Sequence, residues 1–271
     1  MGDTGATFAG SMPEFYERHM VPMHFAAHAR VPAARLAGMR SGRVLEVAAG
    51  TGALTRILAR ELPEAVEITA THLSEAMLDQ ARLQPGAGRV RWRREDAASL
   101  SFPGGGFDAV LCQFGVMFFP DKPRAFREAF RVLKPGGRLA FSLWDRIERN
   151  PLPDLVQRTL AVLFPDDPPR SNLVPFAYCD PTVVRADLAA AGFAGVEIEE
   201  VRGFSETPSA RAMAVAYVQG GVLRNEVEAH GRGWLERATE AVEEALTASF
   251  GKGPMRVPNQ ALLVTARKPC G

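Results

Sequence analysis

The chain has 271 residues, 46% of them hydrophobic and 23% charged, with a net charge of +1. That balance fits one or two globular domains and excludes a long disordered chain, a fibre and a disulfide scaffold. A charge so close to zero supplies no overall field to gather nucleic acid or anionic lipid. The three cysteines, Cys112, Cys179 and Cys270, have no metal-ligand spacing and point to a reducing compartment. Met1 to Ser11 lacks the basic start and apolar core of a secretory leader. The best apolar run, Ala212 to Val218, is too short to span a bilayer. The expectation is a cytoplasmic protein without a bound metal.

Strand and helix patterns alternate through the middle of the chain. Arg43 to Val47 is a β-branched run ending in glycines, and Leu54 to Leu62 reads as a helix. Val66 to Thr71 is a second strand. Ser74 is placed to cap a helix reaching about Leu83, before the Pro85-Gly86 turn. Val90 to Arg94 and Phe107 to Cys112 are strands three and four. Phe126, Ala129, Phe130 and Leu133 share a helix face, and Arg138 to Trp144 is strand five. This order predicts a parallel sheet covered on both faces. Further on, five prolines between Pro151 and Pro169 mark a loop-rich stretch. Val183 to Ala191 reads as a helix, Val196 to Val201 as a strand, Trp234 to Leu246 as a helix and Gln260 to Arg267 as the last strand. The residues between those two strands are too many for a hairpin and predict a helical insertion.

The turn Ala48-Ala49-Gly50-Thr51-Gly52 joins the first strand to a helix. Such a turn lets backbone N–H groups approach a ligand, and the helix N-terminus favours negative groups. By itself it is weak evidence, since glycines also build structural turns.

The surrounding residues add to it. Val44 to Gly52 resembles motif I of class I S-adenosylmethionine-dependent methyltransferases. Leu73-Ser74-Glu75-Ala76-Met77-Leu78, Asp96-Ala97, Phe107-Asp108-Ala109-Val110 and Arg131 to Gly137 are similar to that family's later motifs, in order and at suitable spacing. They cover residues 43–145, a little over a third of the chain. The segment Phe8 to Tyr16 also resembles the start of a bacterial type-11-like (UbiE-like) subgroup. The resemblance implies a Rossmann-like α/β fold: a mostly parallel seven-stranded sheet, helices on both faces and a helical lid. It implies one methyltransferase domain over residues 1–271, a cofactor-binding core at 43–145, and lid or acceptor segments at 12–30, 147–180 and 204–257.

Matched motif by motif, the resemblance assigns S-adenosylmethionine contacts. Glu46, Gly50, Thr51 and Gly52 face the methionine end, flanked by Gln113 and Phe114, and Tyr16 lines the pocket. Leu73 and Met77 pack on the adenine; Asp96 and Ala97 hydrogen-bond to it. Two positions depart from the pattern. Ala48 replaces a glycine, a change tolerated if φ there is negative. His72 replaces the acidic residue that holds both ribose hydroxyls, and a neutral imidazole has only one acceptor nitrogen. Three readings follow: weaker, pH-dependent ribose binding by His72; transfer of the acidic role elsewhere; or loss of cofactor binding.

Methyl transfer needs alignment and exclusion of water more than a fixed base, so no universal catalytic motif exists. His19, His24, His28 and Tyr178 are the candidate catalytic residues. The implied partner is a small, largely apolar acceptor such as Phe118, Phe119, Phe164, Phe176, Met213 and Tyr217 could line. Nucleic acid and membrane are not implied; Arg89, Arg91, Arg93 and Arg94 read as charges guarding an edge strand. Monomer and homodimer stay open. The alternative is a protein of this fold that binds a ligand without transferring a methyl group.

Overall fold

In the computed structural model, which describes residues 12–270, the chain begins with α1 (Met12–Phe15), a π-helical segment (Tyr16–Phe25) and α2 (Ala26–Ala34). The elements β1 (Gly42–Glu46), α3 (Ala53–Glu61), β2 (Val66–His72), α4 (Glu75–Arg82), β3 (Val90–Arg94) and β4 (Phe107–Gln113) then alternate. α5 (Lys122–Val132) runs into β5 (Leu133–Trp144), and α6 (Pro151–Leu163) and α7 (Pro181–Ala190) precede β6 (Ala194–Thr207). α8 (Ala210–Gln219), α9 (Leu223–Ala229) and α10 (Trp234–Phe250) separate β6 from β7 (Met255–Arg267). The reading of Met1 to Ser11, and the part of the subgroup resemblance that falls there, lie outside the described residues.

The strands form one seven-stranded sheet in the order β3-β2-β1-β4-β5-β7-β6. β1 to β5 run parallel, and β7 lies antiparallel to both β5 and β6. The order reverses direction between β1 and β4, and in open α/β sheets ligands bind beyond the C-terminal strand ends at such a point. Alternate residues of each strand face opposite layers. Val44, Ile68, Ala109 and Leu111 pack with Ala29, Leu54 and Leu58 from α2 and α3. Leu45, Val110, Leu139 and Phe141 pack with Phe126 and Val132 of α5 and Val184 and Leu188 of α7. A separate apolar core joins α6, α8, α9 and α10 into a helical layer beside the sheet.

Three expectations change. The proline-marked stretch contains a 13-residue helix, α6. Pro151 and Pro153 fall in its first turn, where a missing N–H breaks no helical bond. The last two strands are much longer than their apolar runs: β6 continues from Val201 to Thr207 and β7 begins at Met255, and the two stay paired throughout. Phe164 and Met213 belong to the core of the helical layer and do not line an acceptor space. β3 is the sheet edge, as its arginines predict. Those arginines also have local partners: Arg89 donates to the carbonyls of Ala59, Leu62, Pro63 and Val66, Arg91 pairs with Glu67 and Arg93 with Glu95.

Candidate cofactor and acceptor site

β1 ends at the centre of the sheet and hands the chain to a tight loop. Ala48, Gly50 and Gly52 all adopt left-handed conformations, with φ of +54°, +60° and +86°. Glycine accepts this freely, whereas alanine is strained there by its Cβ. The condition of a negative φ at Ala48 therefore fails. Space for the methyl comes from across the crevice: a Cβ placed on Gly115 would lie 2.5 Å from the Ala48 Cβ.

Beneath the loop, Glu46 is almost fully buried and its Oε2 accepts a 2.6 Å hydrogen bond from Thr55 Oγ1. Burial pushes its carboxyl up to about 8, against the smaller opposing pulls of Thr55 and Arg56. The hydroxyl of Thr51 is buried with no hydrogen-bond partner. Arg56 fastens the N-terminal segment to this loop. Its Nη1 donates to the Thr51 carbonyl at 2.8 Å and its Nη2 to Glu17 at 2.8 Å. Tyr16 arrives with that segment; its ring edge comes within 4.0 Å, and Met77 Cε within 3.8 Å, of where a Gly50 Cβ would stand.

At the end of β2, the Nδ1 of His72 accepts the Ser74 N–H at 3.0 Å. Ser74 occupies the N-cap position of α4 without a side-chain cap bond. Burial lowers the His72 imidazole to about 4, a shift the Ser74 bond opposes only in part, so the ring is neutral with its proton on Nε2. Leu73 is half-buried and Met77 buried on the same edge. Asp96 follows β3, exposed, with Oδ1 capping the Ala98 N–H at 2.8 Å, and Ala97 packs toward the core. Its neighbour Glu95 turns inward instead and accepts from Ser101.

β4 and β5 supply aromatic walls. Phe114 takes a left-handed φ of +53° as it leaves β4. Its ring stacks on Trp144 at 4.3 Å between centroids and 16° between planes. Phe25 leans on both rings and stacks on Tyr16 at 5.4 Å. Gln113 Nε2 holds the Phe25 carbonyl at 2.8 Å. Phe176 also reaches Trp144, while Phe118 is exposed.

The structure separates the four candidate catalytic residues. His19 stays on the outer part of the segment against Phe15. Tyr178 is diverted: its hydroxyl donates to Asp187 at 2.6 Å, and Lys122 lies over its ring. Burial and the Asp187 carboxylate push that phenol above its usual range. Of the four, His24 and His28 alone reach the aromatic walls, and both are buried. A hydrogen-bonded line connects them: His28 Nε2 donates to Asn259 Oδ1 (2.8 Å), Asn259 Nδ2 donates to Ser205 Oγ (3.0 Å), and Ser205 Oγ shares a hydrogen bond with His24 Nδ1 (2.7 Å). Gly203 stands opposite Asn259 in the β6–β7 register, and any Cβ there would fall 2.6 Å from His28 Nε2.

Ser205, Asn259, Glu17 and Arg56 do not stand out in the sequence. Ser205 and Asn259 lie just beyond the apolar runs that mark β6 and β7, and Glu17 meets Arg56 across 39 residues. Among the described residues no cluster of side chains is arranged to hold a metal ion, and no helix is long and apolar enough to cross a membrane.

Comparison with known proteins matches one segment of the sequence to a family model. Residues 44–137 match the methyltransferase domain family. A demethylmenaquinone methyltransferase of Deinococcus radiodurans is 41% identical over 112 residues, 41% of this chain and 46% of that protein. A ubiquinone/menaquinone biosynthesis C-methyltransferase, UbiE, of Azotobacter vinelandii is 42% identical over 109 residues, 38% of this chain and 43% of that one. The chain thus spans less than half the length of these relatives. Among solved structures, the YcgJ protein of Bacillus subtilis superposes with a TM-score of 0.58 at 19% identity, covering 90% of this chain and all of that one. The [4+2]-cyclase SpnF gives 0.57 at 24% identity, covering 91% of this chain and 82% of the other. Both likenesses establish the fold alone. Over residues 44–137 the chain is similar to the methyltransferase domain family and to UbiE-type C-methyltransferases, and its sheet has the class I methyltransferase fold.

Proposed function

We propose that the protein is an S-adenosylmethionine-dependent methyltransferase of the cytoplasm, a single domain over residues 1–271, acting on a small, largely apolar acceptor. The carrying observation is the buried Glu46 carboxyl beneath a left-handed loop, next to a Thr51 hydroxyl that has no partner. A ligand with a fixed ammonium and a carboxylate supplies what both groups lack. Asp96, exposed at the far end, suits an amino-bearing base. The residues present therefore fit S-adenosylmethionine, whose sulfonium supplies an electrophilic methyl group.

In this reading Glu46 and Thr51 hold the amino-acid end, and Gly50 and Gly52 bring backbone close to it. Leu73 and Met77 form the apolar bed of the base, with Asp96 and the Ala97 N–H at its polar edge. The clasp of Glu17, Arg56 and the Thr51 carbonyl closes the N-terminal segment over the loop and keeps water out. Phe25, Phe114 and Trp144 offer flat apolar walls to an aromatic acceptor. Two relatives are named for ubiquinone/menaquinone biosynthesis and for demethylmenaquinone, which supports a quinone-type ring as that acceptor.

The test is calorimetric titration with S-adenosylhomocysteine, followed by transfer of labelled methyl to 1,4-naphthohydroquinone under anaerobic conditions. Micromolar binding with label in the naphthalene product is the expected result. Binding without transfer to any phenol or hydroquinone supports the non-methylating alternative, and no binding removes the methyltransferase reading.

His72 sets a second expectation. Its proton sits on Nε2 and its imidazole titrates near 4, so it adds no pH dependence to ligand binding between about pH 5.5 and 8. That argues against pH-dependent ribose binding. His72→Asp keeps an acceptor for the Ser74 N–H and adds a second carboxylate oxygen for the ribose. S-adenosylhomocysteine affinity is expected to rise about fivefold, on the order of 1 kcal/mol for a charge-assisted bond. Equal or weaker binding by calorimetry means that the acidic role has moved elsewhere.

A further inference from the structure

The line His28–Asn259–Ser205–His24 leaves one atom over. Asn259 Oδ1 takes the proton of His28 Nε2 and its amide donates to Ser205 Oγ; that oxygen keeps one lone pair and its own proton, so it meets His24 Nδ1 either as donor or as acceptor, according to the tautomer. With Ser205 as the donor, the proton of neutral His24 is on Nε2. That nitrogen is buried and has no hydrogen-bond partner. Buried polar atoms are almost always satisfied, and the exceptions concentrate where a ligand is to arrive. The ring that carries it is walled by Phe25, Trp144 and Tyr217, so what arrives there is flat and apolar around a single acceptor atom.

The segment that carries His24 is also unusual. Tyr16–Phe25 is a π-helix, the Ala26 N–H reaches back five residues to the Val21 carbonyl, and Pro22 contributes no N–H within it. π-Helical turns are rare and occur mostly at functional sites, where they re-aim a side chain. Here the wide turn delivers His24 to Ser205 and Phe25 to Gln113 at once.

We infer that His24 grips the methyl acceptor: its Nε2–H donates a hydrogen bond to a ring oxygen of an aromatic alcohol or ketone, and Ser205, Asn259 and His28 are positioning residues that fix the tautomer and aim the ring. The acceptor's oxygen thereby sits against the Phe25, Phe114 and Trp144 walls, and its ring is oriented by one polar contact. This inference rests on the methyltransferase reading for the identity of the ligand as acceptor. It does not need the cofactor for its test. Desolvation holds the His24 imidazole well below its ordinary value, with the nearby His28 adding to the effect, and a neutral donor is what the bond requires.

The variants separate the two ends of the ring. His24→Asn retains a polar atom near Nδ1 for Ser205 and removes Nε2. His24→Gln places its amide near Nε2. The probe is 1-naphthol, titrated calorimetrically with and without saturating S-adenosylhomocysteine, with the His24 Nε2 resonance followed in 15N-histidine-labelled protein. The wild-type resonance is expected to report a protonated Nε2 that shifts on addition of 1-naphthol. His24→Asn is expected to bind 1-naphthol at least tenfold more weakly, and His24→Gln within about threefold of wild type. Ser205→Ala is expected to mix the two tautomers of His24 and weaken 1-naphthol several-fold, while Ser205→Thr restores both. Saturable 1-naphthol binding that is indifferent to His24→Asn, an Nε2 resonance unmoved by the probe, or no saturable binding by wild type overturns the assignment. A wild type that fails to bind S-adenosylhomocysteine but binds 1-naphthol through His24 instead removes the cofactor reading and leaves the His24 contact standing.

Discussion

Replacing Glu46 with glutamine is expected to raise stability at alkaline pH and to weaken S-adenosylhomocysteine at least tenfold. Both effects come from one buried carboxyl. In the unfolded chain it titrates near 4.5, and in the folded protein burial lifts it to about 8. Between those values the native state holds a proton that the unfolded state has lost, so wild-type stability falls as pH rises through that window and levels off above it. The full difference is on the order of 5 kcal/mol. The glutamine amide does not titrate, and its carbonyl still accepts from Thr55. Chemical denaturation at about pH 5 and about pH 8.5 is therefore expected to show wild type losing several kcal/mol between the two, with Glu46→Gln nearly flat. Ligand binding reverses the sign. An ammonium placed against Glu46 favours the carboxylate, so binding at about pH 6.5 is expected to release about one proton, read from calorimetry in buffers of different ionisation enthalpy. The variant is expected to release none at this site. A wild type whose stability is flat across that pH range would show that Glu46 is hydrated in solution, and the amino-acid end of the site would have to be placed elsewhere.

Residues whose partners are close in sequence were legible. The loop from Val47 to Gly52, the helices with apolar stripes and the five parallel strands follow from local period and turn chemistry, and the structure places them near the reading, except that β5 starts at Leu133, on the predicted helix face, and not at Arg138. His24 and His28 were also legible as a pair four residues apart, facing one side of a helical segment. What they do there was not. Ser205 and Asn259 sit on antiparallel strands 54 residues apart, in stretches where charged and polar residues mask the strand pattern. β6 carries Glu197, Glu199, Glu200 and Glu206 on a largely exposed edge, so apolar alternation fades long before the hydrogen-bonded ladder does. The helix α6 was hidden for a different reason. Proline is best tolerated in a helix's first turn, and only the position of the start, fixed by Asn150 bonding to Gln260 and the Asp145 and Arg146 carbonyls, shows that Pro151 and Pro153 fall there. The left-handed φ at Ala48 was not legible either, and the room for its methyl lies beside Gly115, a residue on another strand's exit.

That last pair gives the second large effect. Gly115 has an ordinary φ of −97°, so alanine is allowed there by its own backbone. Its Cβ would nonetheless lie 2.5 Å from the Ala48 Cβ and 2.7 Å from Cys112 Sγ. Both neighbours are short side chains, so relief requires backbone to move in a packed crevice, and Gly115→Ala is expected to cost about 3 kcal/mol. Ala48→Gly acts the other way. It removes a Cβ from a left-handed position, a relief of about 1–2 kcal/mol, offset by about 0.5–1 kcal/mol of added freedom in the unfolded chain. It is expected to be neutral or slightly stabilising alone. In the double variant the contact at 2.5 Å disappears but the one with Cys112 stays, so about half of the Gly115→Ala loss should return. A coupling of about 1–2 kcal/mol in the double-mutant cycle, measured by denaturation, is the quantitative expectation. Affinity for S-adenosylhomocysteine provides an independent reading: Gly115→Ala pushes the loop that would hold the amino-acid end and should weaken binding, and Ala48→Gly should recover part of it. Additive effects on stability would mean that the two residues do not touch, and the account of how alanine is accommodated in that loop would fail.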